Sequence, residues 1–312
     1  MKKLSIMVPC YNEEENVVPM SEALVKQLEA MPEYDYEILF IDNCSTDSTR
    51  ALLRKICEGN KKIKAIFNTR NFGQFNSPYH AICQTTGDCT ITICCDFQDP
   101  IEMIPKFVAE WEQGYKIVCG VKTSSKEKKL MYFLRSVYYK LIKKLSKAEQ
   151  IEHFTGFGLY DKSFVDVLRE LDDPIPFIRG IVGELGPKFK TIEYEQPQRR
   201  AGKTSNNIFT LYDAAMLSFT SYTKIGPRLA VFGGIFMSAC SAFAALVCLI
   251  LKLINPVYFF QTGTAAIILA IFFAAGLQIF FTGIIGEYIL SINTRVMKRP
   301  LVIEDERINF DD

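Results

Sequence analysis

Histidine is scarce in this 312-residue chain, which has two, and tryptophan occurs once. His80 and His153 lie far apart, and none of the ten cysteines forms a C-x-x-C pair. A zinc centre or a spaced disulfide framework therefore has no basis in the sequence. Cys10, Cys94, Cys95, Cys119, Cys240 and Cys248 sit within apolar segments, where small buried thiols of a reducing compartment account for them. Net charge is missing too: 36 Lys and Arg face 35 Asp and Glu, so no global field marks a nucleic-acid binder. The opening MKKLSIMVPCYNEEE has an apolar run too short for a signal-peptide core and meets acids at once. It reads as a first strand, and the N-terminal region is expected to stay in the cytosol.

A more local absence is that of charge near the C-terminus. Leu229 to Leu251 and Thr262 to Gly286 contain none. Each stretch is long enough to cross a hydrocarbon layer of ~30 Å at ~1.5 Å per residue. The link KLINPVYFFQ makes them a tight hairpin. Lys224 and Arg228 precede it, Arg295, Lys298 and Arg299 follow it, and only Lys252 lies in the link. That asymmetry places both ends in the cytoplasm, giving a multi-pass protein of the cytoplasmic membrane. A buried apolar hairpin in a soluble protein is the competing reading. Gly233, Gly234, Gly276 and Gly283 would let the two helices approach closely.

What is present in the first part is alternation. Strand-length apolar runs occur at Leu4–Val8, Tyr36–Ile41, Ile63–Phe67, Cys89–Cys94 and Lys116–Gly120. Helical stretches separate them at Glu14–Ala30, Asp47–Cys57, Phe75–Gln84 and Ile101–Gln113. The pattern predicts α/β units on a mostly parallel sheet with flanking helices, whose ligands bind at the carboxyl ends of the strands. Three such ends carry polar clusters: PCYNEE, IDNCSTD and CDFQDP. In the last, Asp96 and Gln98 are spaced to reach one hard cation, for which Mg²⁺ or Mn²⁺ is the natural choice. Asp99 before Pro100 fits a helix cap and a catalytic acid equally well. Residues 126–147 form an amphipathic pattern, with Leu130, Leu134, Val137, Leu141 and Leu145 on one face and lysines on the other. It reads either as the surface helix of a soluble domain or as a helix lying on an anionic bilayer.

The ordered set VPCYNEE, IDNCSTDST, TRNFGQ, DFQDP, HFTGFGLYD and RRAGKTS, followed by two apolar spans, resembles family 2 glycosyltransferases. The branch it resembles includes dolichol-phosphate mannose synthase and the bacterial polyprenyl-phosphate glycosyltransferases, and the likeness runs over almost the whole chain. It implies a GT-A type fold and a nucleotide-diphosphate sugar as donor. Pro9, Tyr11 and Glu13 would hold the nucleotide, Asp42 its base or ribose, and Lys122 would join the donor-binding set. Asp96 and Gln98 would hold the cation. Arg199, Gly202 and Thr204 match the family's basic loop, with Arg200 and Lys203 placed to assist. Asp96, Asp99 and Arg199 are the expected catalytic residues.

The departures are specific. Cys94 stands where the first Asp of D-x-D belongs, Ser205 where the basic loop ends in Lys, and Asn43 and Cys44 where the second motif reads Asp and Gly. Gly158 replaces the Arg of F-R-L, and Gly156 stands where some members have Asp. Weaker cation binding is the expected consequence. An alcohol acceptor needs a base, for which Asp99, His153 and Asp161 are candidates. A lipid phosphate needs none, because with a second pKa near ~6 it is already largely dianionic.

The expectation is a membrane-anchored glycosyltransferase acting on a polyprenyl phosphate at the cytosolic leaflet, serving a cell-envelope glycan. Its rivals are a non-catalytic nucleotide-sugar-binding scaffold and an enzyme glycosylating protein or polysaccharide. The expected organisation is a cytosolic catalytic domain (1–205), an interfacial segment (206–227), two spans (228–291, helices about 229–251 and 262–288) and a cytosolic tail (292–312). Residues 126–147 and about 206–225 would lie at the bilayer surface. Self-association into a homo-oligomer is left open.

Overall fold

The computed structural model describes residues 1–123, 151–171, 173–174, 176–200, 216, 225–254, 264–297 and 299–310. The amphipathic stretch 126–147, the basic-loop residues Gly202 to Ser205, nearly all of 206–225 and most of the helix link lie outside them. The chain divides into two units, one made of Met1–Lys143, Ala148–Asn207 and Met297–Asp312, the other of Lys144–Lys147 and Ile208–Val296.

The first unit is built on an eight-stranded sheet. Its strands are β1 (Lys2–Cys10), β2 (Tyr34–Asp42), β3 (Ile63–Asn68), β4 (Cys89–Thr92), β5 (Ile117–Lys122), β6 (Phe154–Asp161), β7 (Phe189–Tyr194) and β8 (Glu304–Ile308). They lie in the order β7-β5-β6-β4-β1-β2-β3-β8. Only β6 and β8 run against the rest, as the antiparallel pairings β4–β6, β5–β6 and β3–β8 show. Among the described residues its helices are α1 (Val17–Glu29), α2 (Thr49–Gly59), α3 (Gly73–Gln84), α4 (Ile104–Glu112), α5 (Lys162–Leu171) and α6 (Ile178–Leu185).

Both faces of the sheet are covered, which is why the central strands read as unbroken apolar runs. Leu4, Ile6, Val8, Ile38 and Phe40 pack with Val17, Met20, Leu24, Leu53 and Phe107 on one face. Met7, Leu39, Ile41 and Tyr160 pack with Tyr79, Ile82, Phe164 and Val182 on the other. The register aligns the strand ends: Cys10 lies beside Asp42, and Lys122 beside Tyr194. The loops after β1, β2, β4, β5 and β7 therefore share one end of the sheet. Since β6 runs the other way, its first residues join that end and its last residue, Asp161, lies at the far one, paired with Cys89.

β8 was not legible as a strand. The segment expected as a tail pairs with β3 at the sheet edge, Ala65 opposite Ile308 and Phe67 opposite Glu306.

The second unit contains α7 (Ile225–Ile254) and α8 (Thr264–Val296), on which the two expected spans fall. Among the described residues one segment, Ala270–Val296, is long and apolar enough to cross a membrane, and none of its most apolar window is buried. Phe236, Phe272 and Ile279 are strongly exposed. Of the four glycines expected at the helix contact, only Gly233 meets the other helix: a Cβ there would lie 3.4 Å from the Phe281 ring.

Candidate active site

The described loop residues at the carboxyl end of the sheet are largely polar, and four of them are backbone-strained. Asn12, Cys44, Phe97 and His153 each take positive φ (55°, 63°, 59° and 59°), one in each of four neighbouring loops. Such conformations cost on the order of 1 kcal/mol each outside glycine and persist where surroundings over-determine them, as at functional sites.

The loops after β1 and β2 are laced into one platform. Asn12 N–H donates to Ser45 Oγ at 2.8 Å, and Thr46 N–H returns to Asn12 Oδ1 at 2.8 Å. Glu13 N–H donates to Thr49 Oγ1 at 2.9 Å, and Ser48 N–H to Glu14 Oε2 at 2.9 Å. Tyr11 is exposed on this platform, whereas Pro9 and Glu13 are half-buried. Asp42 has no exposed surface, and both its oxygens accept the Ser45 N–H, at 3.3 and 3.1 Å. Burial raises its pKa, with Ser45 and Arg50 opposing. This enclosed carboxylate braces the loop after β2 from beneath.

Asn43 explains one departure from the family pattern. Its Oδ1 accepts Asn68 Nδ2 (3.1 Å) and Phe72 N–H (2.9 Å), while its Nδ2 donates to Asn71 Oδ1 (2.9 Å) and the Gly73 carbonyl (3.2 Å). Only an amide both donates and accepts in this way, so an aspartate would leave two acceptors facing a carboxylate. The TRNFGQ loop is organised by this one side chain.

The turn after β4 meets the segment after β7. Asp96 Oδ2 accepts Arg199 Nε at 3.0 Å and Nη2 at 2.8 Å, and Oδ1 accepts Gln98 N–H at 3.1 Å. Arg200 N–H reaches the Asp96 carbonyl at 3.5 Å, and its guanidinium lies over the Phe97 ring at 5.4 Å. An acidic and a basic element 103 residues apart are thus joined. Glu13 faces the same place: burial raises its pKa, Arg199 lowers it and Asp96 raises it.

Asp99 does not cap. The 3₁₀ turn Ile101–Met103 that leads into α4 has no side-chain cap. Asp99 is instead buried, its Oδ2 accepting Cys94 N–H at 3.0 Å and its Oδ1 accepting the Tyr194 hydroxyl at 3.1 Å. Burial raises its pKa, opposed by Cys94 and Lys122. With both oxygens engaged, Asp99 fixes the turn that presents Cys94 and Asp96. Cys94 is solvent-exposed. Desolvation by the surrounding protein and the carboxylates of Asp99 and Asp96 hold its thiol well above the ordinary range, with Lys122 opposing. Cys95 is buried in the core, as a spacer would be.

Asp161 cannot share this chemistry. At the far end of the sheet it accepts Trp111 Nε1 at 2.7 Å and Lys116 Nζ at 3.0 Å. His153 stays at the active end, its carbonyl accepting Lys122 N–H at 3.4 Å. Gly158 has a steric reason: a Cβ there would lie 2.4 Å from the Val118 carbonyl oxygen, so no arginine fits. Sequence reading missed Tyr194, Asn12, Ser45 and Arg50, whose roles depend on pairings that no local pattern announces.

No group of three or more His, Cys, Asp or Glu suited to a metal occurs among the described residues. Asp96 and Gln98 are the hard-oxygen donors of the turn. They fit a divalent ion that brings further ligands of its own, provided Arg199 leaves Asp96 Oδ2.

The sequence model of glycosyl transferase family 2 matches residues 5–168. The bactoprenol glucosyl transferase of Shigella phage SfX is 29% identical over 96% of this chain and 97% of its own length. A prophage bactoprenol glucosyl transferase homolog of Escherichia coli (strain K12) is 30% identical over 96% of this chain and 98% of its own. Among solved structures, glucosyl-3-phosphoglycerate synthase from Mycobacterium tuberculosis with phosphoglyceric acid aligns with a TM-score of 0.49 at 16% identity, covering 70% of this chain and 78% of that one.

Proposed function

This chain belongs to glycosyl transferase family 2 and is a glycosyltransferase, and we propose that it transfers a sugar from a nucleotide-diphosphate donor to a polyprenyl phosphate. The relatives named bactoprenol glucosyl transferase, matched end to end, support that acceptor. The observation that carries the reading is the Arg199–Asp96 junction at the carboxyl end of the sheet.

The platform after β1 and β2 receives the nucleotide, with Tyr11 exposed for a base and Asp42 holding the loop from below. Arg199, Arg200 and Lys203 neutralise the diphosphate, and Lys122 stands near the Asp99 end of the turn. In the reaction an oxygen of the lipid phosphate forms a bond to the anomeric carbon as the bond from that carbon to the diphosphate oxygen breaks. The nucleoside diphosphate leaves and a sugar–phosphate–lipid diester remains. Charge builds on the leaving diphosphate, so fixed cations beside it supply the main stabilisation. Mg²⁺ or Mn²⁺ at Asp96 and Gln98 would supply further neutralisation of the diphosphate when bound. Arg199 is then the group that exchanges partners, held by Asp96 before the donor arrives and by the diphosphate afterwards.

The placement of two of the three candidate bases favours a phosphate acceptor. Asp161 is at the wrong end of the sheet, and Asp99 has both oxygens committed. An alcohol acceptor would need one of them or His153, which stays at the active end, whereas a phosphate dianion needs no base.

Membrane anchoring through α7 and α8 completes the reading. The chain leaves the sheet unit before Ile208 and returns to it at Met297. A chain that starts and ends in one folded unit crosses a bilayer an even number of times, so two crossings with the catalytic unit on the cytosolic side are proposed. The test is incubation of the purified chain with undecaprenyl phosphate and a panel of UDP- and GDP-sugars. Formation of a lipid-linked sugar from one donor supports the proposal. Binding of nucleotide without consumption of any donor would make the chain a scaffold and sink it.

A further inference from the structure

β8 arrives at the sheet edge only after the two apolar helices, and it is fastened there by side chains from the opposite end of the sequence. Arg50 Nη2 donates to Asp305 Oδ2 at 2.7 Å. Arg54 donates through Nε and Nη2 to Glu306 Oε2 at 3.1 and 2.7 Å. Asn309 Nδ2 donates to the carbonyls of Cys57 and Ile63, each at 2.7 Å. Both guanidinium groups lie over the buried Phe67 ring, Arg50 at 5.1 Å and Arg54 at 4.9 Å from its centroid.

Only Arg50 continues inward. Its Nε is 3.7 Å from Asp42 Oδ2, and it is the cation within ion-pair reach of that carboxylate among the described residues. Asp42 is fully buried, and a buried carboxylate is stable as an anion only with a countercharge held in place. From Asp42 the contacts run on: its oxygens take the Ser45 N–H, Ser45 Oγ takes the Asn12 N–H, and Asn12 adjoins the exposed Tyr11. A half-exposed acid on the last strand is thus three side chains away from the platform after β1.

We propose that Asp305 and Arg50 are positioning residues for donor binding. Asp305 holds the outer nitrogen of Arg50, so that the guanidinium stays against Asp42 and the joined loops after β1 and β2 keep the shape that receives the nucleotide. The inference rests on reading those loops as the nucleotide site. Without Asp305, Arg50 exchanges its fixed outer partner for water and samples rotamers that leave Asp42 unpaired. Glu306 is the internal control, since it neighbours Asp305 on the same strand and holds an arginine over the same ring, yet that arginine forms no ion pair with Asp42 and feels its charge only from farther off.

The experiment uses the full chain in lipid nanodiscs, titrated calorimetrically with UDP, GDP, ADP, CDP and dTDP. Asp305→Ala is expected to weaken the nucleoside diphosphate that binds by about three- to fivefold, the scale of a partly exposed ion pair. Donor KM should rise by the same factor with kcat unchanged, while Glu306→Ala leaves both where they were. Arg50→Ala should weaken binding by about tenfold or more, and adding Asp305→Ala to it should cost nothing further, because the two act through one contact. Unchanged affinity in Asp305→Ala overturns the inference, as do an equal loss in Glu306→Ala and additive losses in the double variant. If the unaltered chain binds none of the five nucleotides, the platform is not a nucleotide site and the inference falls with that reading.

Discussion

Replacing Cys94 by aspartate tests the turn after β4 in both directions. The substitution restores the carboxylate that the family's D-x-D pattern carries, on a backbone already fixed by the Cys94 N–H to Asp99 bond. Cys94 is solvent-exposed, so the new carboxylate keeps some contact with water. It would stand near two acids, Asp96 and Asp99, whose charges already raise the thiol pKa, and near Lys122, which opposes them. At an effective dielectric of about 20, two unit charges some 4 Å apart interact by roughly 4 kcal/mol, before Lys122 and solvent reduce it. A net destabilisation of about 1–2 kcal/mol without metal is the expected remainder. In a domain of this size that lowers the melting temperature by about 2–8 °C. A divalent ion reverses the sign, because the same carboxylate becomes a ligand: Mn²⁺ affinity in the presence of UDP or GDP should rise about ten- to a hundredfold. The assay is thermal denaturation of both proteins over a Mn²⁺ series, since stabilisation grows as RT ln(1 + [Mn²⁺]/Kd). The variant should melt below the parent without metal and close the gap or overtake it with metal. If added Mn²⁺ shifts both proteins equally, position 94 does not face the ion and the reasoning is wrong.

Three further outcomes are expected. Arg199→Ala should lower kcat by about 10²- to 10³-fold, the scale for losing a fixed charge partner of the leaving group, whereas a fall of less than threefold would remove Arg199 from the chemistry. Gly158→Ala forces a methyl to within 2.4 Å of the Val118 carbonyl oxygen and should cost about 3 kcal/mol in urea unfolding by parting β5 from β6. An unaltered urea midpoint would contradict that packing. Glu37 is buried; burial alone would raise its pKa, yet hydrogen bonds from Ser5, Thr86, Lys3 and Lys64 bring it down to about 2. A depressed carboxyl stabilises above its unfolded value near ~4.3, so about 3 kcal/mol should be lost in all as pH falls from about 5.5 to about 1, through the folded value near 2, and Glu37→Gln should flatten that part of the stability profile.

The parts of the molecule that were legible in the sequence are those whose physics is local. β1, β2 and β3 are continuous apolar runs because helices cover both faces of the sheet, and the polar clusters after β1, β2 and β4 mark its ligand end. The join of Asp96 to Arg199 was legible only through the resemblance to a known family, since nothing within either segment calls for the other. β8 is Glu-Asp-Glu-Arg-Ile, an edge strand held by side-chain charge pairs, and it offers no apolar run to read. Asp161 looked like a candidate base because strand direction is a tertiary property: once β6 runs antiparallel, its last residue is carried away from the site. Asp99 before Pro100 matched a helix start, but tertiary partners, the Cys94 amide and the Tyr194 hydroxyl, claimed the carboxylate first. Gly158 looked like a lost arginine and is a packing requirement.

The most direct measurement follows the sugar itself. The purified full chain is given undecaprenyl phosphate and radiolabelled UDP-glucose, then the other UDP- and GDP-sugars, with and without Mn²⁺, and the organic phase is counted. The reading put forward here expects one donor to yield a lipid-linked sugar with equimolar release of its nucleoside diphosphate, and Asp96→Ala to abolish that product. Nucleotide release without label in the lipid phase, or no turnover of any donor by a chain that still binds nucleotide, would contradict it.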